Sequence, residues 1–286
     1  MPAIDGLLLV DKPAGVTSHD VVAIARRALG VRRVGHGGTL DPFATGLLVL
    51  LVGRATRLLP YLEGEPKVYD ATVALGAETD TDDRTGVVVR TAPAPERAAV
   101  ERAMLGLTGE MAQVPPAFSA KQVEGRRAHA AARRGTPLAL QPVNVTVYAW
   151  TVQAWREHEL DVTICCSGGT YIRALARDLG RSSGSAAHLS ALRRTRSGPF
   201  DVAAAYTAND LRAGTAVLLP AVAAVPSLPL VHLDDDSVRQ ARQGRDLAAG
   251  AATAPRAALV DAAGTLVGIA QRDGSWWHPR TVLGDD

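Results

Sequence analysis

Among the side chains able to do chemistry, Asp41 has the most distinctive setting. It lies in Gly35-His36-Gly37-Gly38-Thr39-Leu40-Asp41-Pro42-Phe43-Ala44-Thr45-Gly46, whose composition predicts a loop up to the apolar run at residues 47–52. Glycine permits positive φ and close approach by another group. Pro42 biases the Asp41 backbone away from the α region. A carboxylate on so stiff a loop suits a nucleophile or a base. It equally suits an aspartate that orders a turn, since Gly and Asp are ordinary turn residues. Spacing alone leaves both readings open.

The surrounding elements would have to present that loop. Residues 6–10 read as a short apolar strand, closed by the turn Asp11-Lys12-Pro13-Ala14-Gly15. Ser18 is placed to N-cap a helix with Val21, Val22, Ala25 and Leu29 on one face and Gly30 as its stop. Residues 47–52 predict a buried strand, and 54–62 a short helix. Residues 67–76 alternate as a strand does, with Tyr69, Ala71, Val73 and Leu75 on one face. The acidic run Thr79-Asp80-Thr81-Asp82-Asp83-Arg84-Thr85-Gly86 has the wrong spacing for a calcium loop and is expected to be a solvated turn.

A helix is predicted over 96–107 with Pro95 at its start, and strands over 144–154 and 159–166. Between them, after Pro115-Pro116, comes a basic segment with Arg126, Arg127, Arg133 and Arg134 against Glu124 alone, expected to be exposed. Thr170 can cap a helix with Ile172, Leu175, Ala176 and Leu179 on its apolar face, which places Arg173 and Arg177 four residues apart on one side. Residues 187–196 end in Arg193, Arg194 and Arg196. A boundary is expected near 226–229, followed by a small β-rich module with a helix at 237–243 and strands at 257–260 and 266–271.

Composition narrows the classes. With 286 residues, 47% hydrophobic and 21% charged, the chain suits a soluble globular protein of one large or two domains. It contains no uninterrupted apolar run of membrane-spanning length, and its first residues lack the form of a signal peptide. A cytoplasmic protein without a membrane partner is therefore expected. Cys165 and Cys166 are adjacent in a predicted strand and so point to opposite faces, which predicts reduced thiols. The seven histidines lack metal-ligand spacing, and no metal is expected. All but three of the 31 basic residues are arginine, the better residue for phosphate and for stacking on bases.

The motifs, in their order, resemble the bacterial tRNA pseudouridine synthases of the TruB type over nearly the whole chain. Gly6-Leu7-Leu8-Leu9-Val10-Asp11-Lys12-Pro13 with Thr17-Ser18 is similar to the family's opening motif, and Gly35-His36 through Asp41-Pro42 to Gly46 to its catalytic motif. Lys67-Val68-Tyr69 with Thr79-Asp80-Thr81 and Gly86 follows. Then come Pro115-Pro116 with Ser119-Ala120, Ser167-Gly168-Gly169-Thr170-Tyr171-Ile172-Arg173, and Ala187-His188-Leu189 with Leu192-Arg193-Arg194.

The resemblance implies an α+β protein: a pseudouridine synthase fold with a mixed, mainly antiparallel sheet, plus a small C-terminal β-barrel of the PUA type. It implies a catalytic domain at 1–227 with a mobile RNA-binding thumb about 115–141, and a PUA-like RNA-binding domain at 228–286. The implied reaction is isomerisation of a T-loop uridine of tRNA (position 55) to pseudouridine, with base flipping and no cofactor or metal. Asp41 would be the catalytic aspartate, Tyr69 would stack on the extruded base, and Arg173 would keep Asp41 ionised. Leu192 would pack against the base and His36 would enter the T loop. Lys12, Tyr171, Arg126, Arg127, Arg133 and Arg134 would contact substrate.

Cleaving a glycosidic bond and rejoining the base through carbon calls for one ionised carboxylate. Attack at the ribose, attack at the base and removal of a ribose proton all remain open to it. Without the resemblance, Tyr69 reads as a core strand tyrosine, Arg173 as a surface arginine, and His36 as a residue ordering its loop. Two positions depart from the family pattern: Lys121-Gln122 follows Ser119-Ala120, and His129 stands where tyrosine is usual. The C-terminal module is net acidic, so its RNA contact would be a local patch around Arg272, Trp276, Trp277, His278 and Arg280, unless the tryptophans are core. The partner is expected to be the tRNA T arm, with no protein partner and a monomeric chain. The alternatives are a non-catalytic tRNA-binding protein of the same fold and a phosphate-handling enzyme. Retention of Asp41, Tyr69 and Arg173 disfavours the first, and the lack of a Gly-Lys-Ser/Thr ending the second.

Overall fold

The structure, a computed structural model, describes residues 4–119, 121–123, 126–132, 134–136 and 138–284, with Gln122, Val123, Arg127, His129 and Ala130 described by their backbone alone. The chain opens with β1 (Gly6–Lys12), α1 (Ser18–Leu29), β2 (Val34–His36) and β3 (Thr45–Val52), then a 3-10 stretch at Gly53–Tyr61. There follow β4 (Lys67–Leu75), β5 (Ala77–Thr79), β6 (Val88–Thr91), α2 (Arg97–Gly106) and β7 (Gly109–Gln113). The basic segment holds β8 (Gln122–Val123), β9 (Arg126–Arg127) and α3 (Ala128–Ala132). Next are β10 (Val143–Trp155), β11 (Glu159–Cys166), α4 (Ile172–Ser182), β12 (Ala187–Ser197), β13 (Phe200–Asp201), β14 (Tyr206–Thr207) and α5 (Ala208–Ala213). The C-terminal part comprises β15 (Leu230–His232), α6 (Asp235–Arg242), β16 (Leu247–Ala248), β17 (Arg256–Val260), β18 (Leu266–Asp273) and β19 (Trp276–Val282).

Two compact units result, and neither is continuous in sequence. The first contains residues 1–41, 47–64 and 202–286; the second contains 42–46 and 65–201. In the first, β1 pairs parallel with β14, and β2 pairs antiparallel with β3. α1 lays Val21, Val22 and Ala25 on a core of Leu8, Val10, Leu48, Leu50 and Val52. The five-stranded C-terminal sheet is curled as a half-barrel, in the order β15-β17-β18-β19-β16. It has its own core, in which Leu247, Leu259, Val267 and Trp277 meet Ala241 of α6. The expected boundary at 227 lies inside this first unit, where Arg54 Nη1 donates to Gly284 O (3.0 Å) and Arg57 Nη1 to Val282 O (2.8 Å).

In the second unit the strand order is β12-β4-β11-β10-β7, antiparallel throughout. The parallel pairing of Thr45 and Gly46 with Arg193 and Arg194 makes the sheet mixed. β4 alternates as its sequence predicts: Tyr69, Ala71, Val73 and Leu75 are buried and Asp70 is exposed. Gly46 has φ +101°, and a Cβ there would lie 2.2 Å from Arg194 O, so the close approach of β12 excludes any side chain.

Several local expectations need correction. The N-cap of α1 is Thr17, not Ser18: Thr17 Oγ1 accepts from Asp20 N–H and Asp20 accepts from Thr17 N–H, a reciprocal capping box. Gly35 and His36 belong to a strand, because β2 borrows the backbone of β3 despite its glycine. Tyr171, rather than Thr170, caps α4, and Thr170 Oγ1 turns back to Ser167 O at 2.9 Å. Residues 79–86 are solvated only in part: Asp80, Arg84 and Thr85 are exposed, but Thr79, Asp82 and Asp83 are buried.

Candidate active site

In the first unit the loop carrying Asp41 is gripped from below by the start of α1. Ser18 Oγ donates to Leu40 O (3.1 Å) and accepts from Leu40 N–H (2.9 Å), so one buried hydroxyl holds both backbone groups of the residue before Asp41. Gly37 N–H donates to Val49 O at 2.8 Å, and His19 meets His36 edge-on with ring centroids 5.4 Å apart. Asp41 itself is partly exposed, and at Pro42 the chain passes into the second unit. Lys12, expected at the substrate, is fully buried, and its Nζ donates to Pro13 O (2.9 Å) and Val16 O (2.8 Å), ordering the turn that leads to Thr17.

In the second unit Tyr69 and Leu192 share a face of the sheet. Leu192 lies opposite Ala71 and Arg194 opposite Tyr69, so Tyr69, Ala71, Leu192 and Arg194 project from the same side, and all are buried. Arg194 is thereby the neighbour of Tyr69 on that face, although the sequence shows it only as one of three clustered arginines.

Arg173 is not a surface residue. It is 5% exposed at the head of α4, where Nη1 donates to Thr81 O and Nη2 to Phe118 O, both at 2.9 Å, with Asp83 Oδ2 at 3.7 Å. One turn on, Arg177 pairs with Asp82 at 2.9 Å and donates to Val114 O. A turn further, Arg181 pairs with Glu78. The helical spacing of these arginines thus meets the spacing of acidic side chains along residues 78–83. Asp82 adopts φ +58°, and Asp83 Oδ1 accepts from Thr81 Oγ1, Thr85 N–H and Thr85 Oγ1, which folds the acidic loop inward. Burial pushes the Asp82 carboxyl up to about 6, against the opposing pull of Arg177 and Arg173. Burial also raises the Glu78 carboxyl, but hydrogen bonds and charge from Arg181 and Arg90 outweigh it and leave Glu78 below its usual value.

Gln113 is a further residue that sequence reading passed over. At the end of β7 and 1% exposed, its Oε1 accepts from Tyr171 N–H (2.8 Å) and its Nε2 donates to Tyr171 O (3.1 Å). The only signal in the sequence is an amide two residues before Pro115-Pro116, which is too weak to single it out. In the basic segment Arg126 and Arg134 are exposed, Arg127 is described by its backbone alone, and Arg133 lies outside the described residues. In the C-terminal sheet Trp277 is core while Trp276 is 52% exposed. Arg272 is tied to the carbonyls of Thr253, Ala254 and Gly274, and His278 Nδ1 lies 2.6 Å from Asp246 Oδ1. Among the described residues no cluster of His, Cys, Asp or Glu could hold a metal ion, and no helix is long and apolar enough to cross a membrane.

Residues 26–172 match the model of the TruB family pseudouridylate synthase N-terminal domain, and 173–219 that of the tRNA pseudouridylate synthase B C-terminal domain. Similar proteins named tRNA pseudouridine synthase B include one from Arthrobacter sp., 47% identical over 90% of this chain and 87% of its own length. Another from Thermobifida fusca is 46% identical over 88% and 89%, and one from Cutibacterium acnes is 50% identical over 85% of each chain. A solved structure of a Cbf5-Nop10-Gar1 complex contains a chain that superposes with a TM-score of 0.72 at 26% identity, covering 98% of this chain and 85% of that one. The ordered motifs, the mixed sheet that sets Tyr69 beside Leu192, and these matches together make the chain a member of the TruB family of pseudouridylate synthases.

Proposed function

We propose that this chain converts the T-loop uridine of tRNA (position 55) to pseudouridine, with Asp41 as the catalytic carboxylate. As a member of its family the chain is a tRNA pseudouridine synthase, an isomerase. The bond from ribose C1′ to N1 of the base breaks, the base turns, and a C1′–C5 bond forms. C5 loses its proton and N1 gains one, so no oxidant or co-substrate enters. Because the target base lies within folded RNA, it must be flipped out first. Tyr69 stacks on it near the C5 proton, Leu192 forms the adjoining wall, and His36 takes up space in the T loop.

Arg173 carries this reading furthest. It is buried at the head of α4, where two backbone carbonyls and the Asp83 carboxylate at 3.7 Å fix its guanidinium, and a fixed cation beside a carboxylate favours the ionised form. Its assigned role is to keep Asp41 ionised and oriented. Lys12 and Tyr171 support the same site, Lys12 by ordering the turn before α1. Arg126, Arg127, Arg133 and Arg134 form the phosphate-binding edge of a thumb about 115–141 that closes on the T arm. Residues 228–286 act as a PUA-like RNA-binding domain, an assignment supported by their separate sheet and core and by the exposed Trp276. The chain acts in the cytoplasm as a monomer, without a protein partner.

The test is release of tritium from an unmodified tRNA transcript labelled at uridine C5, with mapping of the product. Release from position 55 is expected, together with tRNA binding but no release by Asp41→Asn. Turnover by that variant would remove Asp41 from its role. Sedimentation of the protein alone and with tRNA checks the monomeric state.

A further inference from the structure

We propose that Ser18 and Gln113 are a matched pair of positioning residues, one for Asp41 and one for Arg173. The proposal rests on the catalytic reading of those two residues. In each unit a single neutral side chain, 1% exposed, engages both the N–H and the C=O of one backbone residue. Ser18 holds Leu40, directly before Asp41; Gln113 holds Tyr171, two residues before Arg173.

A serine hydroxyl and a primary amide are among the few side chains that can donate and accept at once. The N–H and C=O of one residue belong to two successive peptide planes, so holding both fixes the planes on either side of its Cα. At Leu40 the second of these planes runs into Asp41, whose ψ is in turn restricted by Pro42. What remains free at Asp41 is its own φ and the rotation of its side chain. At Tyr171 the second plane starts α4, and Tyr171 O also accepts from Leu175 N–H, so the clamp sets where the helix begins and hence where Arg173 projects.

Both clamps stand on rigid ground. Ser18 is the first residue of α1, a helix anchored in the core by Val21, Val22 and Ala25, and Gln113 pairs with Val143 in the sheet. Neither needs to touch substrate. Their effect is on geometry, and a displacement of about 1 Å in a reacting group costs on the order of 100-fold in rate.

The measurement is single-turnover tritium release under saturating enzyme, set beside tRNA affinity and thermal melting. Ser18→Ala and Gln113→Leu are each expected to slow release by about 10- to 100-fold while tRNA Kd stays within about twofold. Ser18→Thr, which restores the hydroxyl, recovers most of the rate. Gln113→Glu, which when ionised can accept from Tyr171 N–H but not donate to Tyr171 O, falls between wild type and Gln113→Leu. Thr17→Ala serves as the control, because it removes the helix cap next door and leaves the clamp in place; its melting temperature falls but its rate does not. Equal rate losses in Ser18→Ala and Thr17→Ala at matched stability would overturn the proposal and reduce Ser18 to a fold residue. Wild-type rates in Ser18→Ala and Gln113→Leu, with Asp41→Asn inactive, would overturn the clamps and leave the catalytic reading intact. An active Asp41→Asn would instead remove the reading on which both depend.

Discussion

Two arginine-rich stretches of this chain use one residue type in opposite ways. On α4, Arg173 and Arg177 are buried; Arg173 is met by two carbonyl oxygens and Asp83, and Arg177 by one carbonyl oxygen, Asp82 and Asp178. In the basic segment Arg126 and Arg134 are exposed. The difference lies in what folds back onto each stretch. Residues 78–83 bring Glu78, Asp82 and Asp83 to α4 at the spacing of its arginines, whereas the only acidic residue of the basic segment is Glu124. An arginine surrounded by fixed acceptors is part of the fold and of the site geometry. One left in water is available to phosphate, and contacts of that kind weaken with salt.

The sharpest way to break this contrast is to remove Arg177. Arg177→Leu leaves Asp82 buried without its 2.9 Å partner and should cost about 3–5 kcal/mol, read as a loss of urea midpoint. The same neutralisation of Arg134 should leave the midpoint unchanged. An equal loss at both positions would erase the distinction.

Asp82 supplies a pH test of somewhat smaller size. Its carboxyl titrates at about 6 in the folded protein, above its ordinary value of 3.8. The folded state therefore holds the proton more tightly than the unfolded chain. The contribution of Asp82 to stability is fully present below pH 4 and is lost as pH rises to about 6, a change on the order of 3 kcal/mol. Asp82→Asn should flatten this component of urea melts between pH 4 and 6.5. An unaltered pH profile in that variant would place the titration elsewhere.

For the exposed arginines the expected effect is on binding. Arg126→Glu with Arg134→Glu should weaken tRNA binding and lower the slope of log K against log salt by about 1–2, as for phosphate contacts on a partly paired RNA. Affinity unchanged across that salt range would remove these side chains from the interface. The smallest effect is expected from the cap control: Thr17→Ala should lower stability by about 1 kcal/mol, visible as a few degrees in melting temperature.

Much of the framework was legible because local periodicity and burial agree. The alternation at 69, 71, 73 and 75 predicts which face of β4 is buried, and that is the face observed. The capping of α1 was legible in kind but not in place. Thr17 and Ser18 are both good caps, and Asp20 stands three residues after Thr17, which is the capping-box spacing. Trp276 and Trp277 could have been separated had β19 been predicted, since neighbours on a strand face opposite ways. The short β2 was not legible, because three residues with a central glycine carry no periodic signal.

By itself the sequence determined the order of the motifs, the strand that carries Tyr69, and the loop that carries Asp41, because turn chemistry and side-chain alternation act over a few residues. Only the tertiary structure decided that Thr79, Asp82 and Asp83 of the acidic run are buried, that Arg173 and Arg177 are inside, and that Ser18 and Gln113 each hold one distant backbone residue. Those outcomes depend on pairings across 22 residues for Ser18 and Leu40, 58 for Gln113 and Tyr171, and 95 for Arg177 and Asp82. A polar side chain is stable in the core only when such a partner arrives, and no local pattern states which partner that will be.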